Sequence, residues 1–145
     1  MRLDPILMEA EGEMTTVGSG DYIYTLIENW AKLPDGETWG NTSAVATDSQ
    51  DRVYLFNRGD HPLIVLDRDG NFLNSWGEGQ LPDAHGMFID GDDNLYMPVK
   101  NSHVVLKYRP DGDLLMTLGE WDKPSDTGWS GDYSEPAKQA AGPFN

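Results

Sequence analysis

The sequence predicts an all-β fold of short antiparallel strands, and three observations carry that reading. First, residues 45–78 fall on residues 87–120 without a gap when the chain is offset by 42, so that Asp48 meets Asp90, Tyr54 meets Tyr96 and His61 meets His103. Second, each copy divides into four runs of about five residues, rich in β-branched and aromatic side chains and separated by Asp/Gly/Asn turns. Third, no helix-length window of 3.6-residue periodicity interrupts them. Four strands in about 42 residues is the arithmetic of one propeller blade. The chain therefore reads as a partial β-propeller of about two to three four-stranded blades.

In order along the chain, residues 1–20 are polar and Gly-rich and are expected to fray. Residues 22–30 mix two signals. Ile23, Ile27 and Trp30 have helical spacing, while Tyr22, Tyr24 and Leu26 alternate. The aromatic and β-branched content, with Pro34-Asp35-Gly36 just beyond, favours a strand. The first blade then takes strands at 43–47, 52–56, 63–66 and 72–76, turning at Asp48-Ser49-Gln50-Asp51 and at Asp67-Arg68-Asp69-Gly70-Asn71. The second repeats them to residue 120, with Pro98 predicting a bulge or an altered strand end, because proline has no amide to give a sheet ladder. Residues 21–120 are thus the blades, and 121–145, punctuated by Pro and Gly, are a loop leading towards a further blade. The first strand of a blade lies nearest the propeller axis, which places Val45 and Met87 there.

Composition narrows the function. The 145 residues carry 10 basic and 25 acidic side chains, a net charge of −15. Such a field repels phosphate backbones and anionic lipid, arguing against nucleic-acid and membrane partners. The absence of cysteine excludes disulfides, thiolate metal sites and cysteine nucleophiles. The opening apolar run is too short for a signal peptide, and no stretch is long and apolar enough for a membrane span, so a cytoplasmic protein is expected. Asp67 and Asp90 begin stretches that mimic a calcium loop but lack its glycine and glutamate, and they read as hairpin turns. His61 and His103, equivalent in the two copies, read as structural.

Four motifs carry a resemblance: Phe56-Asn57-Arg58-Gly59-Asp60-His61-Pro62, Asp67-Arg68-Asp69-Gly70-Asn71-Phe72, Ser75-Trp76-Gly77-Glu78-Gly79 and Ala84-His85-Gly86-Met87. They are similar to the opening blades of six-bladed NHL-repeat propellers, and most of all to peptidyl-α-hydroxyglycine α-amidating lyases and their bacterial relatives. The resemblance runs from about Gly18 to Asn145. It implies cleavage of a carbinolamide to a peptide amide and glyoxylate, with zinc on three histidines from separate blades, an axial calcium held partly by backbone carbonyls, a tyrosine base and a substrate-binding arginine. Matched by motif, His85 is the first zinc histidine, Arg58 is the substrate arginine, and the carbonyls of Val45 and Met87 reach the calcium. The types suit the chemistry: neutral imidazoles bind zinc, and a guanidinium fork matches a peptide's terminal carboxylate. The other two histidines and the tyrosine belong to later blades. Neither metal site is then complete in this chain, which is expected to be inactive in isolation. Self-association, or a partner chain supplying further blades, is expected to cover its open sides. The alternative is a non-catalytic interaction scaffold, in which Arg58, equivalent to Lys100, is a solvated loop cation.

Overall fold

The computed structural model describes residues 15–124, and over that stretch the protein is all-β, as the sequence predicts. The chain divides after Trp30 into two compact units.

The first unit holds a hairpin, β1 (Thr16–Ser19) and β2 (Tyr22–Thr25), with Thr16 opposite Thr25 and Ser19 opposite Tyr22. Gly18 has φ +118°, and a Cβ there would meet the Tyr22 carbonyl oxygen at 1.9 Å, so only glycine fits. Two expectations change here. Residues 16–19 are paired rather than frayed, and residues 1–14 lie outside the described stretch. The strand predicted over 22–30 stops at Thr25, because Asn29 turns into the left-handed region at φ 53° and a ribbon pairs only as far as its partner reaches.

The second unit contains two four-stranded antiparallel sheets. The first, in order, is β3 (Asn41–Thr47), β4 (Val53–Arg58), β5 (Leu63–Leu66) and β6 (Phe72–Trp76). The second is β7 (Phe88–Ile89), β8 (Leu95–Val99), β9 (Val104–Tyr108) and β10 (Leu114–Gly119), again in sequence order. Together they form a partial propeller, with β3 and β7 in contact as the leading strands.

Aspartates build the turns. Asp48, Asp67 and Asp90 each accept, at Oδ1, the backbone N–H groups two and four residues onward. The residue three beyond each is left-handed, namely Asp51, Gly70 and Asp93 at φ 60°, 80° and 62°. Such short loops need a residue that tolerates positive φ, which Gly and Asp do. The fourth turn has Arg109 in place of the aspartate and Gly112 at φ 94°, and Arg109 reaches forward to Asp113 instead.

Strand alternation decides what is buried. On β4 and β5, Tyr54, Phe56, Leu63 and Val65 share one face, joined by Ala44 and Trp76. That face meets Leu95, Met97, Val99, Val104, Leu106 and Tyr108 from the second sheet, forming one core between the blades. Trp76 and Tyr108 close its edge, their rings tilted with centroids 5.1 Å apart.

Pro98 shortens β7. The Asn57 N–H donates to the Pro62 carbonyl on the β5 side, so the neighbouring Phe56 amide points towards β3. Pro98 stands in the Phe56 position and has no such amide. The β7–β8 ladder accordingly covers only Phe88–Tyr96 and Ile89–Leu95, and resumes as an isolated bridge at Ala84–Val99. β8 keeps an unbroken register with β9, so the proline alters a strand end without adding a bulge there.

Candidate functional site

Arg58 ends β4 on the same side of the strand as Tyr54 and Phe56, and thus points towards the second sheet. Its Nε donates to the Ala84 carbonyl at 2.7 Å, crossing the seam between the blades. Ala84 is fully buried and its backbone is fixed by the bridge to Val99. His85 follows directly, with an exposed side chain. It occupies the place of Ser43, the extra residue of the irregularity between Thr42 and Ala44 in β3. There Ser43 Oγ donates to the Phe56 carbonyl at 3.3 Å, and that interaction turns its side chain inward. Among the described residues His85 makes no such bond, and its side chain is exposed. The guanidinium of Arg58 is therefore anchored beside the residue that carries His85. Its terminal nitrogens have no ion-pair partner among the described residues and can engage a carboxylate.

The other two predicted site residues have unlike surroundings. Val45 is 61% exposed on the side of the first sheet away from the second, whereas Met87 is partly buried against the inter-blade core. Both lie at the leading edge of their sheets, but their side chains stand perpendicular to the sheets rather than along an axis. Only their backbones are free to serve there.

The residues present do not by themselves make a zinc site. Among the described residues, no three His, Cys, Asp or Glu side chains are grouped to hold a metal. His85 is one imidazole without companions, and zinc requires at least three protein ligands.

Two polar centres went unassigned in the sequence. Asp48 is buried at the seam and receives Arg52 Nε at 2.5 Å and the Tyr54 hydroxyl at 3.1 Å. Burial alone would raise its carboxyl, but the backbone and guanidinium of Arg52, with Gln50 N–H and the Tyr54 hydroxyl, hold it below the usual carboxylate range. Burial pushes the Tyr54 phenol up to about 12. Beside it Ser49 donates from backbone and hydroxyl to Asp93, at 2.8 and 2.7 Å, tying the two blades together. The second centre is His61, with Nε2 2.5 Å from Glu37 and Nδ1 3.1 Å from Glu78. It joins the lead-in loop, the β4–β5 loop and the segment after β6, beside a cavity of about 200 Å³ lined in part by Asp60 and Gly59. The matched aspartates of the repeat signalled the first centre; His61 and Glu78 are matched too, but Glu37 lies outside the repeat and nothing in the pattern said the three would meet.

No family model matches the chain, and no curated protein matches it. Among the described residues no helix is long and apolar enough to cross a membrane.

Proposed function

We propose that this chain supplies NHL-type propeller blades of the peptidyl-α-hydroxyglycine lyase kind, with Arg58 receiving the terminal carboxylate of a peptidyl substrate. The observation that supports this reading is the 2.7 Å contact from Arg58 Nε to the Ala84 carbonyl. It spends one donor on orientation and leaves the planar fork of terminal nitrogens for a bidentate carboxylate. The resemblance adds His85 as one zinc ligand, and the calcium at the Val45 and Met87 carbonyls. Cleavage would need further histidines and a base from outside residues 15–124.

Titration of the full chain with a peptide ending in α-hydroxyglycine, against the same peptide as its amide, tests the role of Arg58. Binding of the acid, loss of that binding in Arg58→Gln and no binding of the amide are expected. Equal affinity in Arg58→Gln overturns the assignment. With zinc added, glyoxylate release by the chain alone is expected to stay at the metal-only background.

A non-catalytic scaffold is the second reading. It is favoured by the apolar side chains that β10 leaves exposed, Leu114, Leu115, Met116 and Leu118.

A further inference from the structure

We propose that the cavity beside Arg58 takes the side chain of a lysine preceding the terminal residue of a peptidyl substrate, with Asp60 and Glu78 receiving its ammonium. The inference rests on the reading of Arg58 as the receiver of a terminal carboxylate, and adds to it the class of peptide preferred.

The cavity measures about 490 Å³ and lies between the β4–β5 loop and the segment that follows β6. Gly59 and Asp60 stand on one wall, and Glu78, Gly79, Leu81 and Pro82 on the other. Gly59 directly follows Arg58, and Pro82 stands two residues before Ala84, whose carbonyl Arg58 grips. Consecutive Cα atoms are about 3.8 Å apart, so both walls come within about 8 Å of that anchor. An extended peptide advances about 3.4 Å per residue, so with its carboxylate on Arg58 the residue before the last reaches the cavity.

The walls select a cation with an apolar stem. Leu81 is 2% exposed and gives an apolar floor beside Pro82. No basic side chain lines the cavity, and among the described residues the Asp60 carboxylate is in no ion pair. A lysine lays its methylenes on apolar surface and carries its charge to the rim, so stem and head both find a match here. A carboxylate side chain would be repelled.

The repeat itself shows a lysine at this carboxylate. Glu78 matches Glu120, and in the second blade Lys123, three residues on, places Nζ 2.7 Å from Glu120. Three residues after Glu78 stands Leu81, so the first blade lacks that lysine. The residue after the glutamate changes as well, from Trp121 to Gly79, where an added Cβ would meet nothing within 4 Å. The first blade thus keeps the glutamate, omits the internal lysine and leaves space for one from outside. His61 Nδ1, 3.1 Å from Glu78 Oε1, occupies one oxygen and leaves Oε2 and Asp60 for the ligand.

Titration of the full chain with peptides ending in α-hydroxyglycine, preceded by lysine, norleucine or glutamate, tests the proposal. Norleucine keeps the stem and lacks the charge. The lysine peptide is expected to bind about fivefold tighter than the norleucine peptide, and the glutamate peptide more weakly than either. Asp60→Asn should cut the lysine preference to about twofold or less. Asp92→Asn, an equal change of net charge at an exposed turn of the second sheet, should leave it intact. Equal binding of the lysine and norleucine peptides overturns the proposal. So does an equal loss in both aspartate variants, which would assign the preference to the overall charge of −15. Arg58→Gln separates the two readings. Loss of all binding in that variant, with no lysine preference in the unaltered chain, leaves the carboxylate reading and removes this one. A lysine preference that survives Arg58→Gln with undiminished affinity does the reverse. Failure of all three peptides to bind overturns both.

Discussion

In the first sheet Phe56 fills the inter-blade core and offers an amide towards β3; in the second, Pro98 takes the same place, half-exposed and without an amide. In the first, Asp48 is matched by Arg52 four residues on; in the second, Asp90 is matched by Lys107 from β9, and Asn94 replaces the arginine. In the first, His61 lies between two carboxylates; in the second, the equivalent His103 sits at φ 56° with its buried Nδ1 unpartnered among the described residues. The strand order survives these exchanges, with only the β7–β8 ladder cut short, because turns and ladders depend on backbone groups and, in three of the four turns, on a capping aspartate. What changes is how each face is covered. The first sheet buries the face it turns to the second, while the equivalent face of the second sheet is left open among the described residues.

The largest effect should come from the contrast between Phe56 and Pro98. Phe56→Ala removes a fully buried ring from the core and is expected to cost about 3–5 kcal/mol in urea unfolding. Pro98→Ala touches the open face and should stay within about 1 kcal/mol. It returns an amide facing β7, so hydrogen exchange should show that amide protected and the β7–β8 ladder lengthened. A cost at Pro98 as large as that at Phe56 would mean that both faces are covered.

The aspartates come next. Asp48→Asn leaves the Arg52 charge without its partner at the seam, with an expected loss of about 2–4 kcal/mol. Asp90→Asn, at an open face, should lose less. Both carboxyls are held below the usual range against the opposing effect of burial, Asp48 by the groups already named and Asp90 by Asn94, the Asp92 amide and Lys107. A depressed carboxylate contributes stability that is fully present above its ordinary value of about 4 and is lost as pH falls through the folded-state value. The melting temperature should therefore be flat from pH 7 to about pH 5 and fall below about pH 4. The Asp48→Asn variant should start lower and fall less steeply.

The histidines give the smallest change. His61→Ala removes two partly exposed contacts to carboxylates and should cost no more than about 1 kcal/mol. His103→Asn removes an unpaired buried nitrogen and suits the left-handed backbone, so the melt should hold or rise by about 1–2 °C. A loss at His103 greater than at His61 would show that this nitrogen has a partner in solution.

Much of the blade architecture was legible because it is local. The strands at 52–56 and 63–66, the aspartate turns and the altered strand end at Pro98 all follow from side-chain period, turn chemistry and the missing amide. The hairpin was not, since β1 is too polar and Gly-rich to announce a strand and exists by pairing with β2. At the candidate site, the sequence named Arg58 and His85 by motif and could not say that one would be anchored to the residue preceding the other. The clamp on His61 was invisible because Glu37, His61 and Glu78 are far apart in the chain, and Glu37 belongs to no recognisable pattern.

By itself the sequence determined the class of fold, the 42-residue period, the number of strands in each copy and the places where the chain turns. Those depend on interactions between residues a few positions apart, which the order of residues contains directly. Only the tertiary structure decided which face of each sheet is buried, since strand alternation offers two faces and the stacking of blades chooses one. The same stacking brought Arg58 to Ala84 and Ser49 to Asp93, and it buried Tyr54 while leaving Tyr96, its repeat partner, at an open surface.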